Sequence, residues 1–139
     1  MLTTEELSAQ IASLERGIAE KRASLDGLDV QIAAIEEARP HAVHARDEAQ
    51  ALERLTFAFT LCAWAGDRAD AFMAKMSEGG VAREEAVGMR MQCADLVDAM
   101  DGKLRTFRAE RGSLASDIAR DERSVERKRA SMRTRSGRR

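Results

Sequence analysis

Along the first 35 positions apolar residues recur in steps of four and three: Leu7, Ile11, Leu14, Ile18, Lys21, Leu25, Leu28, Ile32 and Ile35. Eight of these nine are apolar, and Glu, Arg, Gln and Asp fill the faces between them. A 3.5-residue period keeps one narrow stripe turned toward a partner helix, so the pattern predicts a coiled-coil seam. The start of the helix is marked as well. Thr3 as N-cap with Glu6 three residues on makes a capping box, and Leu2 and Leu7 fit a hydrophobic staple.

A second strict stripe occupies the far end of the chain: Val97, Met100, Leu104, Phe107, Arg111, Leu114, Ile118, Asp121, Val125, Lys128 and Met132, eight of eleven apolar. It belongs to a third helix expected from about Val81 to near Met132, whose early part uses Ala86, Met89, Cys93, Leu96 and Val97. Gly88, Gly102 and Gly112 each weaken such a helix by about 1 kcal/mol relative to Ala, and would allow close helix approach or bending. The residues from Arg133 to Arg139 lack apolar periodicity and read as a frayed basic tail.

Between the stripes, Pro40 predicts a helix end, a kink or a tight corner. A second helix is expected over about residues 41–77, with the stripe Leu52, Leu55, Phe59, Cys62, Gly66, Ala69, Met73 and Met76. Phe57, Leu61, Trp64 and Phe72 lie off that stripe, so this helix is apolar on more than one face. Gly66-Asp67 offers a break, and Gly79-Gly80 is the clearest loop.

The two strict stripes satisfy each other if the first and third helices run antiparallel. One register pairs Leu7 with Met132, Ile11 with Lys128, Leu14 with Val125, Ile18 with Asp121, Lys21 with Ile118, Leu25 with Leu114, Leu28 with Arg111, Ile32 with Phe107 and Ile35 with Leu104. Every polar seam residue then faces an apolar one that its stem can cover. Lys21 and Asp121 fall in adjacent layers, positioned for an ion pair that fixes register. The expected fold is all-α, a long antiparallel helical hairpin forming one elongated helical unit over residues 1–139. Residues 3–38 and 100–135 make the stalk, residues 41–98 the head, and residues 133–139 the basic tail. The alternative is an up-down-up three-helix bundle with corners at Pro40 and Gly79-Gly80. Short connections favour the bundle, and seam satisfaction favours the hairpin.

Composition supports helices. The 139 residues include a single Pro, nine Gly, no Tyr and only 4% aromatics, a poor supply for strands. There are 25 Ala, and 19 Arg against 4 Lys, a bias that suits a GC-rich bacterial or phage genome. The longest apolar patch, Phe57 to Ala65, is far short of the roughly 20 residues of a membrane span, so no membrane partner is expected. The early acids Glu5 and Glu6 do not fit a secretory leader. Cys62 and Cys93 read as free, buried thiols, which places the protein in a reducing cytoplasm, or in a virion if it is a phage component.

Candidate chemistry is sparse. His41, His44 and Glu48 share one helix face at metal-ligand spacing, but no second element joins them. Catalytic motifs and phosphate loops are absent, so neither an enzyme nor a cofactor is expected. Phe57, Leu61 and Trp64 are the candidate contacts for a protein partner, because Trp is a common interface anchor. The net charge of −1 hides an uneven distribution: Arg127, Lys128, Arg129, Arg133, Arg135, Arg138 and Arg139 form a basic end without an acid. That end suits nucleic-acid phosphates or an acidic protein surface. The first functional expectation is therefore a non-enzymatic coiled-coil assembly or adaptor protein in a bacterial or phage complex, with self-association also open. The alternative is a nucleic-acid accessory protein for packaging or compaction.

Overall fold

A computed structural model of the chain describes residues 2–64 and 83–137, without the side chains of 57–64 and 83. Two long helices hold nearly all of these residues, α1 (Thr4–Trp64) and α2 (Arg83–Gly137), and there is no strand among the described residues. The capping box is formed. The Glu6 amide donates to Thr3 Oγ1 at 3.1 Å, and the Thr3 amide donates to Glu6 Oε2 at 2.9 Å. Two amides at the helix start thereby find partners.

Pro40 lies inside α1 and makes no corner. A proline interrupts the helical ladder locally, at about 3 kcal/mol. Here its flanks are good helix formers and its ring sits on an exposed position. The second helix expected from residue 41 is therefore the continuation of α1, and the three-helix alternative loses its first corner. The arginine-rich end differs from expectation too: α2 stays helical to Gly137. The proposed break at Gly66-Asp67 and the loop at Gly79-Gly80 lie outside the described residues.

The chain divides into two compact units. The first combines Met1–Ala33 with Leu104–Arg139. Its buried side chains are Leu7, Ile11, Ile18, Ile32, Leu104, Ile118 and Val125. Ile11, Ile18, Ile118 and Val125 form one cluster, against which Leu14, Leu25 and Met132 pack. The two helical segments run antiparallel, as the order of their polar links requires. Arg135 donates to the Leu2 carbonyl, Lys128 Nζ to Gln10 Oε1 at 2.8 Å, Lys21 Nζ to Asp121 Oδ2 at 2.7 Å, and Arg111 to Asp29. Arg129 pairs with Glu15 and Arg22 with Glu122 along one flank.

The second unit is Ala34–Lys103. Among its described residues the buried ones are mostly small: Ala42, Ala49, Thr56 and Ala86, together with Val97. Arg39 pairs with Asp101 at 2.7 Å and Arg90 with Glu53, so these segments are antiparallel as well. The seam here differs from the stripes expected. On α1 it runs through Arg39, Ala42, Arg46, Ala49, Glu53 and Thr56, while Leu55 is exposed. On α2 it runs through Ala86, Arg90, Cys93, Val97 and Met100, while Met89 and Leu96 are exposed. The physical reason is phase. A continuous helix cannot shift its inward stripe without an inserted stutter, so the heptad begun at Leu7 continues past Pro40 whatever residues occupy it. The glycines answer no packing need either, because a Cβ added at Gly88, Gly102 or Gly112 meets nothing within 4 Å.

Candidate docking surface

In heptad letters, Ile11, Ile18, Leu25, Ile32, Arg39, Arg46 and Glu53 are a positions of α1, and Leu7 through Thr56 at seven-residue steps are d positions. On α2, Arg90, Val97, Leu104, Arg111, Ile118, Val125 and Met132 are a, and Ala86 through Arg135 at the same step are d. The e and g positions flank this seam on its two sides.

In the first unit both flanks are polar. The e side carries Glu15, Arg22, Asp29, Arg108, Glu122 and Arg129, and the g side carries Gln10, Gly17, Ser24, Gln31, Glu110, Asp117, Ser124 and Ser131. A surface hollow of about 390 Å³ runs along the e side, lined in part by Ile18 and Val125 and by the Glu15–Arg129 and Arg22–Glu122 pairs. These pairs satisfy the flank from within the unit.

In the second unit the pattern inverts. Past Ile35 the α1 side of the seam holds alanines, charges and Thr56, and several larger apolar side chains stand on the flanks. The g side carries Ala38, Ala45 and Leu52 on α1 with Met89 and Leu96 on α2. Met89 is 48% exposed and Leu96 50%. Leu55, 50% exposed, lies beside Leu52 one helical turn on. The e side carries Val43, Val87 and Ala94, all half-buried, together with Glu36, Gln50 and Asp101. Arg39 keeps its charge firmly: a hydrogen bond to Asp101, and then the carboxylate's charge, raise its pKa above the usual arginine value.

The remaining candidates fall as follows. Lys21 and Asp121 meet across the seam, with side chains 31% and 15% exposed. The side chains of Phe57, Leu61 and Trp64 lie outside the described residues. Of the seven C-terminal bases, Arg138 and Arg139 lie outside them too. Lys128, Arg129, Arg133 and Arg135 are each engaged within the chain, Arg133 with Glu126 at 2.8 Å. Arg127 is exposed and lines a second hollow with Arg120 and Arg123. His44 Nε2 and Glu48 Oε1 approach to 3.0 Å on an open surface. Among the described residues no group of three His, Cys, Asp or Glu side chains is placed to hold a metal ion. Nor is any described helix long and apolar enough to cross a membrane.

The inverted flank of residues 38–55 and 89–96 is the feature sequence reasoning missed. Its signal was present: carrying the heptad phase of α1 unchanged through Pro40 puts Leu52 on a g position, and carrying that of α2 back from Val97 and Leu104 puts Met89 and Leu96 on g positions. The chain matches no protein-family model, no curated protein and no solved structure.

Proposed function

We propose that the protein is a non-enzymatic coiled-coil adaptor, an antiparallel helical hairpin that mediates protein–protein contacts in a bacterial or phage multi-subunit complex, such as a virion. The observation that supports this most is the change of pattern between the two units. The first buries most of its Ile, Leu and Val side chains against itself, Leu2 and Val30 being exposed, and carries mainly polar groups on both flanks. The second leaves Leu55, Met89 and Leu96 exposed along one flank of a seam poorer in large apolar residues, with Met91 exposed on another face. Large apolar side chains left in water on one side of a helix pair suit a surface that another protein covers.

A photo-crosslinking residue placed at Leu96 tests this in cells that produce the protein. Discrete protein adducts at Leu96, and none at the exposed position Arg105 of the first unit, are expected. Equal labelling at both positions, or none at Leu96, contradicts the proposal.

A second proposal is binding of nucleic-acid phosphates through the C-terminal half of α2. It is favoured by Arg120, Arg123 and Arg127, which share an outward face at three- and four-residue spacing. Replacing Arg123 and Arg127 with Gln should weaken low-salt duplex binding and flatten its salt dependence. Unchanged binding removes this alternative.

A further inference from the structure

We propose that the g flank of the second unit is covered by a second copy of this chain, forming a four-helix arrangement. The inference rests on the adaptor function proposed above and names its first partner.

Three observations lead there. The first is the residue pattern. A two-stranded coiled coil needs large apolar residues at a and d only, whereas a helix in a bundle core adds e or g. The g positions of α1 read Gln10, Gly17, Ser24 and Gln31, then Ala38, Ala45 and Leu52. Those of α2 read Met89 and Leu96, then Lys103, Glu110, Asp117, Ser124 and Ser131. The stripe turns apolar within the second unit, where the α1 side of the seam has become small and charged. The helices there carry the composition of a bundle, while the described residues supply two of them.

The second observation is the width of the face. It is built by both helices, so it matches a surface that is also two helices wide. In the register of this unit Ala45 lies at nearly the height of Leu96, and Leu52 at nearly that of Met89. A two-fold axis parallel to the helices sets α1 of one copy on α2 of the other at those same heights. Ala45 then meets Leu96, small against large, and Leu52 meets Met89, as interdigitating cores require. Every neighbouring helix in that arrangement is antiparallel. The contact is isologous and closes as a dimer.

The third observation is area and charge. From Ala38 to Leu55 the flank extends roughly 27 Å, at 1.5 Å per residue, and two helices present a face about 20 Å wide. Each copy then contributes about 500 Å² and the pair about 1,000 Å², near the lower bound of a specific interface. Lys103 is the one formal charge on the g positions of this unit and sits at one end; His41, Glu48 and Glu85, on the neighbouring c positions, border the face. An area of this size suits a weak, reversible dimer.

Sedimentation equilibrium of the full chain, from about 2 to about 200 µM, tests the proposal. A monomer–dimer equilibrium is expected. Met89→Lys with Leu96→Lys should weaken it at least tenfold while helicity by circular dichroism stays unchanged. Ala45→Glu should repeat the loss with a small, exposed residue. Val30→Lys, at a 70% exposed position of the first unit, should leave the equilibrium alone. A monomer throughout that range, or a dimer indifferent to the flank substitutions, overturns the proposal. A monomer that still forms adducts with other proteins at Leu96 removes the second copy and leaves the adaptor function standing. A monomer without such adducts removes both.

Discussion

At the scale of single residues, the seam of the first unit is apolar apart from a few charges whose pairings are specific. Lys21 and Asp121 are neighbours across it at 2.7 Å and are only partly solvated. A half-buried ion pair fixes register more than it stabilises, because desolvation offsets most of the attraction. A double-mutant cycle to Ala should therefore give a coupling of about 1 kcal/mol by denaturant unfolding. Replacing both residues with Leu should leave stability equal or higher. Loss of more than about 3 kcal/mol in the Leu/Leu variant would show that the pair holds the fold rather than its register. Glycine gives the opposite kind of residue. Gly112 is exposed in mid-helix with nothing near its missing Cβ, so Gly112→Ala should stabilise by about 1 kcal/mol, read as a raised unfolding midpoint.

At the scale of elements, α1 crosses Pro40 because the inward stripe on either side outweighs one interrupted turn. Pro40→Ala should restore a backbone hydrogen bond and stabilise by about 1–3 kcal/mol in the same assay, whereas a true corner at residue 40 would show no gain. The seam of the first unit was legible in the sequence because Leu and Ile stand at nearly every a and d position there. Burying each such side chain is worth about 2 kcal/mol, which leaves no competing phase. The capping box was legible for a similar reason, since only Thr3 and Glu6 carry that reciprocal spacing. The second unit was not. Ala42, Ala49 and Ala86 bury little area, and Arg39, Arg46, Glu53 and Arg90 look like surface residues. The bulkier Leu55, Met89 and Leu96 drew the expected stripe toward themselves, although the helix turns them outward. The two classes separate by substitution. Ile18→Ala, within the core cluster, should cost about 3 kcal/mol, and Leu96→Ala less than about 0.5 kcal/mol in the dilute monomer.

At the scale of the whole molecule, stability and exposed apolar surface are unevenly shared between the two units. The first buries branched aliphatic side chains and adds ion pairs on its flank; the second buries mostly alanine. Amide hydrogen exchange on dilute protein should show the slowest amides around Ile18 and Ile118, and exchange at least tenfold faster around Ala49 and Val97. That difference is what an adaptor needs if its contact surface is to complete its packing only on association. The central claim is that the stripes at the two ends of the sequence clamp onto each other within one polypeptide. Cysteines at Leu14 and Val125, in a chain with Cys62 and Cys93 replaced by Ser, test it most directly by oxidation at about 1 µM. The expected product is a monomer-sized species with an internal disulfide. A product formed only as a covalent dimer, or no disulfide at all, would contradict it.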